Sequence, residues 1–557
     1  MKKKSLIIAI VAILVVGAAV AGYFVFKGRS GANAQAKPMN DTIALYINVD
    51  QLATKSAINS VVTNANRNLI ATVLTSEMED AESTEYVKSL LSNLANTGID
   101  TKKPIYGYSN PKGNSYDVEF DLTIVAEVAD VKKVDRLFDF AFEVAGFELD
   151  VERKGDKRIL ELDDDCVVGY NDSRFIITIT SDDSAKKALN KAFDRETPNL
   201  AAYSKYDIAY SANLKKAIKL IKSGIEASID EQVEYLGMCE YEYEEEWIAD
   251  SIESLQQQLD ALEQVDKSFE KDSNLIMGIT FEKGRVVAES IVNGYNSEYK
   301  LDSKVDNTYL DNVSKDAIIV ANYAINGPAI SEVISNINAA EYAGMLGIDR
   351  GELNLYMGIL SDAIKSINGD VTLALESING NAYYGPKSVD ALMAISVDDD
   401  YIISNVAQFG EGFLEKRGKN TYGVEFDEWD LTLGQKDKAL YLTANNSFKK
   451  HSPSALKSSW YADVKNSYGY FVVDIENLMN DSFVSSTYRS FMRQMDEPFA
   501  DAVDTFIDSC NYGYLTINTP NSAQMVLVFD DQNTNALEQI VRQVVPAIVR
   551  TATYDMF

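Results

Sequence analysis

Histidine is nearly absent from this sequence, because His451 is the only one. Ser-His-Asp triads and Cys-His pairs need a histidine as base, and many zinc sites use several. His451 lies in the polar turn 449–453, where we expect it to face solvent. The sequence also contains no phosphate-binding G-x-x-x-x-G-K-[ST] loop and no dinucleotide-binding glycine fingerprint. The Gly410-Glu-Gly412 run falls at the end of a predicted helix. We therefore predict a non-enzymatic protein without a cofactor or metal site.

Cysteine is also scarce, with Cys166, Cys239 and Cys510 far apart along the chain. Three such residues cannot form a disulfide framework, and no pair has the C-x-x-C spacing. We expect buried free thiols and a fold stabilised by its core alone. No cysteine precedes Cys166, which excludes an N-terminal lipid-modified cysteine.

Basic residues are fewer than acidic ones: the sequence contains 52 Lys and Arg and 84 Asp and Glu, which gives a net charge of −32. Nucleic-acid binding requires a positive surface, so we exclude nucleic acid as a partner. Hydrophobic residues make up 46% of the chain and aromatic residues 10%, a composition typical of folded domains and not of disordered tails.

Carboxylates are the only abundant reactive groups, and they are densest at 163–165 and 398–400. A paired-carboxylate hydrolase acting on an envelope or extracellular polymer is therefore one alternative function. Both clusters lie at predicted turns, where aspartate usually caps helices or solvates loops. Neither matches the calcium-binding loop pattern D-x-[DN]-x-[DN]-G.

One long apolar run, residues 6–26, follows three lysines and precedes Lys27 and Arg29. A helix of this length would rise about 31 Å and cross a bilayer core. We predict a cytoplasmic tail (1–5), a transmembrane helix (6–26) and a linker (27–38). The short tail favours the cytoplasmic side, which places the rest of the chain outside the cytoplasmic membrane, in the periplasm.

Cleavage of this segment is the alternative, because 32–34 and 34–36 offer the small-x-small pattern of signal processing. Two features favour an uncleaved anchor. The apolar run exceeds the usual 7–15 residues of a signal core. In addition, Lys27 and Arg29 separate it from the candidate sites. A cleaved protein would instead be secreted.

The soluble part repeats a plan of strand, polar turn and amphipathic helix. Two long versions begin at 42–50 and 317–325, and two short versions at 206–210 and 468–474. Each long version continues with an alternating strand, a helix and a hairpin. In the first these are 116–128, a helix with Val134 and Phe138, and strands 166–170 and 174–180. In the second they are 390–397, a helix around Val406, Phe409 and Phe413, and strands 429–433 and 439–443.

The short versions contribute strand pairs at 275–280 with 286–291 and at 513–517 with 523–529. We therefore predict an α+β fold of duplicated units with antiparallel or mixed sheets and helices packed on one face. The halves should span 39–302 and 305–557, separated by the polar stretch 297–307.

A pair of long helices, 212–235 and 241–268 on either side of Gly237, interrupts the plan. In the second helix Ile248, Ile252, Leu255, Leu259 and Leu262 follow heptad spacing, and Ile218, Ile221, Ile225 and Ile229 form a matching stripe on the first. We predict a helical hairpin. It packs on itself or on the sheet, or else projects to meet a partner.

The run 240–247 is the most acidic and aromatic short stretch. On a helix Tyr243 and Trp247 would share one face, flanked by Glu244, Glu245 and Glu246. Two interpretations stay open. The aromatic side chains cover the core, or the five residues bind a basic partner protein.

The envelope-targeting segment, the opening strand 44–50 and the repeat of that plan near mid-chain resemble a family of uncharacterised Bacteroidetes cell-envelope proteins of about this length. The resemblance covers most of 39–557 and implies no activity. We expect a membrane-tethered extracytoplasmic binding or scaffolding module of the envelope. The alternatives are the hydrolase above and an accessory subunit of an envelope assembly or secretion complex.

Overall fold

A computed structural model of the protein describes residues 38–75, 81–113, 118–145, 151–182, 184–238, 242–295, 303–329, 331, 364–381, 383–398, 402–403, 414–426, 429–495 and 497–554. The chain divides into two compact units. The first consists of 1–297 and 533–557, and the second of 298–532.

Several predicted elements lie outside the described residues. They are the transmembrane helix 6–26, most of the helix that the repeated plan predicts after 317–325 (with Ile330, Val333, Ile334 and Ile337), the helix around Val406, Phe409 and Phe413, and the 410–412 glycines. Within the described ranges, no helix combines the length and the apolar character needed to cross a membrane.

The first unit contains the following elements in chain order: β1 (Ile43–Ile47), α1 (Val49–Ser56), α2 (Ile58–Val61), α3 (Asn64–Leu74), α4 (Ala81–Ser92), β2 (Ile105–Ser109), β3 (Lys112–Gly113), β4 (Val118–Glu119), β5 (Asp121–Glu127), α5 (Val131–Ala145), β6 (Val151–Lys154), β7 (Lys157–Asp163), β8 (Cys166–Tyr170), β9 (Arg174–Thr180), α6 (Ala185–Asp194), β10 (Ile208–Asn213), α7 (Leu214–Leu236), α8 (Glu242–Lys267), β11 (Phe269–Glu282) and β12 (Arg285–Tyr295).

Its sheet is antiparallel, in the order β6-β7-β8-β9-β5-β2-β1-β10-β11-β12. Helix α5 covers one face through Val134 and Phe138, which pack with Leu160 and Val168. Helix α6 covers the opposite face, because Leu189 belongs to a second core cluster with strand residues such as Ile159, Val167 and Ile176. The prediction of helices on one face is therefore wrong for this unit. Adjacent apolar pairs such as 159–160 make its strands apolar on both faces.

The second unit contains β13 (Ile319–Asn326), β14 (Ile367–Asn381), β15 (Gly385–Val397), β16 (Glu415–Gly418), β17 (Thr421–Phe426), β18 (Trp429–Lys436), β19 (Ala439–Ala444), α9 (Tyr461–Val464), β20 (Gly469–Asp474), α10 (Ile475–Asn480), α11 (Ser482–Met492), α12 (Glu497–Asp508), β21 (Cys510–Thr519) and β22 (Ser522–Phe529). Its sheet is also antiparallel, in the order β16-β17-β18-β19-β15-β14-β13-β20-β21-β22. The predicted mixed helix and strand composition with antiparallel sheets is confirmed.

The two strand orders correspond position by position. Strands β1 and β13 contain the two long starts predicted from the sequence, and β10 and β20 contain the two short ones. The predicted hairpins are β8–β9 and β18–β19, and the predicted strand pairs are β11–β12 and β21–β22. The internal similarity in the sequence therefore coincides with the same topology in both units.

The end of the chain departs from the predicted halves, because 533–557 group with the first unit. Helix α13 (Ala536–Tyr554) contacts α1, α2, α3 and strands β11 and β12. The segment before it is fixed by hydrogen bonds from Gly284 N to Thr534 O (2.9 Å) and from Asn535 Nδ2 to Phe281 O (3.0 Å). Ala536 is fully buried. Because α13 packs on the first unit, the predicted second half, 305–557, extends beyond the end of the observed second unit at 532.

Residues paired directly across neighbouring strands form a row of side chains across each sheet, and the two units have such a row at the equivalent position. In the first unit this row is Leu160, Val168, Ile177, Ile124, Gly107, Leu45, Tyr210, Met277 and Ser290. In the second unit the central row is Tyr422, Leu433, Leu442, Met393, Leu373, Ala321, Phe471, Leu515 and Met525.

Two further rows flank this central row on the same face, since alternate residues of a strand point the same way. They run through Val424, Leu431, Ala444, Ala391, Leu375, Ile319, Val473, Gly513 and Leu527, and through Gln435, Leu440, Ile395, Val371, Tyr323, Gly469, Ile517 and Ala523. We call these three rows the apolar face of the second unit.

Candidate functional site

The predicted helical hairpin is present as α7 and α8, inserted between the neighbouring strands β10 and β11. Asn213 caps α7, because its side chain accepts a hydrogen bond from Lys216 N at 3.0 Å. At the base, Lys215 Nζ lies 3.0 Å from Asp266 Oδ1, which connects the start of α7 to the end of α8. The observed helices begin and end within a few residues of the predicted 212–235 and 241–268.

The helices pack on each other along the predicted seam of α8. Ile248 is buried, and the other seam residues, Ile252, Leu255, Leu259 and Leu262, are half-buried. On α7 Ile218 is buried, but Ile221 is 50% exposed, so the predicted stripe is wrong at that position. Gly224 is the other buried residue on the described part of α7.

The tip of the hairpin exposes large apolar side chains. Trp247 is 70% exposed and Met238 is 62% exposed, and Val233 and Tyr235 are each about half exposed. Helix α7 contacts strands β3, β10 and β11, so the hairpin packs on the sheet as well as on itself. Single exposed apolar residues are common, but several at one end of a helical hairpin mark an interaction surface. We call Val233, Tyr235, Met238 and Trp247 the hairpin tip.

The hairpin tip lies in a strictly acidic setting. Between Ser223 and Asp266 the sequence contains no lysine, arginine or histidine, whereas acidic residues recur along both helices. Among them Glu234, Glu245 and Asp250 are exposed. The tip therefore combines apolar contact area with negative potential.

The predicted partner-binding residues divide into two groups. Trp247 and Glu245 are exposed on α8, so the indole of Trp247 does not cover the core. The side chains of Tyr243, Glu244 and Glu246 lie outside the described part of the structure. Val233, Tyr235 and Met238 were not predicted. The signal that would have identified them is their position near Gly237, where α7 ends.

A polar cleft of about 500 Å³ in the second unit bears on the hydrolase alternative. Its described lining residues are Lys315, Asp316, Lys457, Ser458, Ser459, Asp474, Glu476, Asn477, Asn480 and Asn511. Burial raises the pKa of Asp474, partly offset by a hydrogen bond from Asn477 N at 3.0 Å. That bond caps α10, and none of the described lining residues is aromatic. Asp316 and Glu476 supply further carboxylates, but Asp474 serves as a helix cap and the described lining has no aromatic ring against which a sugar could stack, so this cleft does not favour a hydrolase.

The acidic clusters form no evident metal site. Asp163, Asp164 and Asp165 are exposed at the turn between β7 and β8, where Asp163 accepts a hydrogen bond from Asp164 N at 2.9 Å. Asp399 and Asp400 lie outside the described residues. Within the described ranges, no group of three or more potential metal ligands is placed to hold an ion.

His451 is more enclosed than its polar turn predicted, because its side chain is largely shielded from solvent. Its Nε2 lies 3.8 Å from Glu376 Oε1. Cys166 is half-buried and Cys510 is buried, and both are free thiols, as predicted. Cys239 lies outside the described residues.

Two shielded ion pairs of the first unit were not predicted. Asp207 has no exposed side-chain surface, and its carboxylate accepts hydrogen bonds from Lys55 Nζ at 2.6 and 2.7 Å and from Phe281 N at 2.7 Å. Arg195 donates to both oxygens of Asp41, and its guanidinium lies 3.8 Å from the ring centre of Tyr108. These pairs connect distant segments and have structural roles.

Comparison with known proteins identifies a family and no activity. No curated protein and no solved structure matches the chain. A family model described as a domain of unknown function matches residues 35–537. The predicted resemblance to an uncharacterised family of this length is thereby confirmed. The chain belongs to the family of the domain of unknown function DUF4836.

Proposed function

We propose that this protein is a non-enzymatic binding or scaffolding module that is tethered to the cytoplasmic membrane by residues 6–26. Its two units would lie outside the cytoplasm, in the cell envelope. The hairpin tip would dock a partner protein. The exposure of Trp247 and Met238 at the end of a hairpin fixed at its base carries the proposal.

The charge of the hairpin favours a basic partner. Exposed glutamates around an indole attract lysine and arginine side chains, and such complementarity accelerates association and selects partners. A nucleic acid or an anionic lipid surface would be repelled by the same charges. An accessory subunit of an envelope assembly or secretion complex is one form of this function.

The expected affinity contribution of Trp247 is large. Tryptophan is enriched among interface hot spots, and truncating a hot spot to alanine costs about 2 kcal/mol or more, which is about thirtyfold in Kd. Rim glutamates contribute less to affinity and more to the rate of association.

Quantitative co-purification tests the proposal. Cells that express the full chain with an affinity tag are crosslinked, and the proteins recovered with the wild type are compared with those recovered with Trp247→Ala/Met238→Ala. A partner should fall at least tenfold with the double variant. The matched control is Ile221→Ala, which removes a similarly exposed side chain near the base of the same hairpin and should leave recovery unchanged. Equal recovery with all three chains would refute docking through the tip.

The membrane tether is tested separately. Deletion of 1–37 should release the protein from the membrane fraction, and protease added outside intact spheroplasts should digest the tethered full chain. Resistance to external protease would contradict the proposed orientation.

We also propose that the two units arose by duplication, supported by their matching strand orders.

A further inference from the structure

The polar cleft of the second unit is a candidate ligand site that depends neither on the hairpin tip nor on the tether. Its volume of about 500 Å³ lies within the roughly 300–1,000 Å³ of small-molecule sites. Most such sites are lined by apolar side chains with only a few polar groups among them. Every described lining residue of this cleft is instead polar or charged, so a ligand that fills it must itself be polar.

The walls of the cleft are fixed to one another by hydrogen bonds. The carbonyl oxygen of Lys315 accepts one from Asn477 Nδ2 at 3.2 Å and one from Ser458 Oγ at 3.3 Å. Asp474 N donates to Ile318 O at 3.0 Å. These bonds connect the segment before β13, the segment before α9 and the start of α10. A ligand therefore meets a preformed cavity and does not have to order it, which lowers the entropic cost of binding.

The first unit provides an internal comparison at the same topological position. Asn213 and Asp474 are equivalent, because each ends a strand and caps the helix that follows. Asn40 and Asp316 are equivalent, because each lies shortly before the strand paired with that one, β1 or β13. The two asparagines bond to each other, since Asn213 Nδ2 donates to Asn40 Oδ1 at 3.2 Å. Two carboxylates cannot form this bond, because neither has a hydrogen to donate.

The surroundings of Asp474 favour a bound cation. Burial raises the pKa of this carboxyl group, and the neighbouring Glu476 and Asp316 raise it further. Lys315 and the hydrogen bond from Asn477 N act in the opposite direction. Among the described residues only Oδ1 of Asp474 accepts a hydrogen bond, which leaves Oδ2 available. A cation placed between these carboxyl groups would stabilise their ionised forms.

The remaining charges of the cleft narrow the ligand class. Among the residues that the structure describes, Asp316, Glu476, Lys315 and Lys457 form no ion pair with one another or with any other residue. The cleft thus presents carboxylates and ammonium groups that are both available to a ligand. No group of three or more potential metal ligands is placed to hold an ion in the described part of the chain. An organic ammonium or guanidinium group therefore fits the carboxylates better than a metal ion does.

We propose that the cleft binds a free basic amino acid. Its cationic groups lie at Asp316, Asp474 and Glu476, and its carboxylate lies at Lys457. Together with Lys315, these side chains carry two positive and three negative charges when all are ionised. The resulting charge of −1 complements that of lysine or arginine, which carry one net positive charge at neutral pH.

Equilibrium dialysis of the full chain in detergent micelles tests this inference with radiolabelled L-lysine. We expect one saturable site per chain. L-glutamate has the opposite net charge and should compete at least tenfold more weakly. Cadaverine keeps the two amines but lacks the carboxylate, and it should also compete at least tenfold more weakly. The absence of a saturable site, or equal affinity for the three compounds, would overturn the proposal.

A double variant tests the acidic side of the cleft. Asp316→Asn/Asp474→Asn gives the second unit the amide pair of the first unit, so the chain should fold and bind L-lysine at least tenfold more weakly. Glu476→Gln changes an exposed side chain and should weaken binding severalfold, which keeps the test decisive if the double variant fails to fold. The matched control is Asp437→Asn, an exposed residue of the β18–β19 turn outside the cleft. Equal affinity in all of these chains would overturn the proposal.

A lysine variant tests where the carboxylate of the ligand binds. Lys457→Met should weaken L-lysine binding at least tenfold and leave the affinity for cadaverine unchanged, because cadaverine has no carboxylate. Lys449→Met removes an exposed lysine outside the cleft and should change neither affinity. If Lys457→Met weakens both compounds equally, or neither of them, the assignment of the carboxylate to Lys457 is wrong.

Discussion

The ion pair between Lys55 and Asp207 leads to a prediction whose magnitude follows from its geometry. Removing one partner of a buried pair costs about 3–5 kcal/mol, because it leaves a charge unpaired in the interior. Asp207 is completely buried, but Lys55 is 24% exposed and the hydrogen bond from Phe281 N remains. We therefore expect Lys55→Met to destabilise the first unit by about 2–4 kcal/mol, slightly below the full range.

Hydrogen exchange of the full chain measures this effect locally. Amides of β1, β10 and β11 should lose protection by about 30- to 1000-fold, since each 1.4 kcal/mol is tenfold. Amides of β13 and β20 in the second unit provide an internal reference. The matched control is Lys88→Met, which removes a partly exposed lysine paired with the exposed Glu85 at 2.7 Å and should cost about 0.5 kcal/mol or less.

A double variant tests the stated cause. If the cost of Lys55→Met comes from an unpaired charge on Asp207, adding Asp207→Asn should recover part of it. If Lys55→Met costs no more than Lys88→Met, the ion pair with Asp207 contributes no more than an exposed pair. A Lys55→Met effect that Asp207→Asn does not change would assign the loss to packing of the lysine stem instead.

Three further predictions follow from single residues. Because burial raises the pKa of Asp474 in the folded state, its contribution to stability is present at low pH and is lost as the pH rises through that pKa. The Asp474→Asn variant keeps a capping side chain. In denaturant titrations, its free energy of unfolding relative to that of the wild type should therefore increase from pH 3 to pH 7. A difference that does not change with pH would contradict this. Burial raises the pKa of the Cys510 thiol to about 11, so iodoacetamide at pH 8 should modify it about 100-fold more slowly in the native chain than in the denatured chain, as measured by mass spectrometry. Equal rates would show that the thiol is accessible. Gly98 has φ +89°, and an added Cβ would lie 2.4 Å from Asp130 O. Gly98→Ala should therefore cost more than about 3 kcal/mol in thermal melts, against about 1 kcal/mol for Gly155→Ala, where φ is +67° and the space is open. Similar costs for the two substitutions would exclude a steric cause.

Much of the fold could be predicted where local signals are strong. The hairpin can be located because Gly237 separates the two helices and the α8 seam has a regular period. Strands β8, β9, β18 and β19 were located because apolar runs flank polar turns. Strands β2 and β14 were missed, since β2 contains Gly107 and β14 begins with a polar stretch, so neither has the clear strand pattern of β1.

Tertiary choices were harder to predict from one sequence. The packing of α13 on the first unit depends on the surfaces of α1 and β11, which precede α13 by more than 200 residues in the sequence. Helix α6 lies on the face opposite α5 because the strands contain adjacent apolar pairs such as Ile176-Ile177, with one side chain on each face. The sequence contains these pairs, but such pairs also occur in strands that are covered on one face only. For the hairpin tip, heptad spacing identifies residues that face the other helix. It does not reveal that the Trp247 side chain is 70% exposed.

The most direct test of partner docking is a site-specific photocrosslinker at position 247 in intact cells. The full chain is expressed with benzoylphenylalanine at 247 and, separately, at 221, a comparably accessible position near the hairpin base. We expect an ultraviolet-dependent adduct of one defined mass at 247, lost when Glu234 and Glu245 are replaced by lysine, and no such adduct at 221. Absence of an adduct at 247, or an identical adduct at both positions, would contradict it.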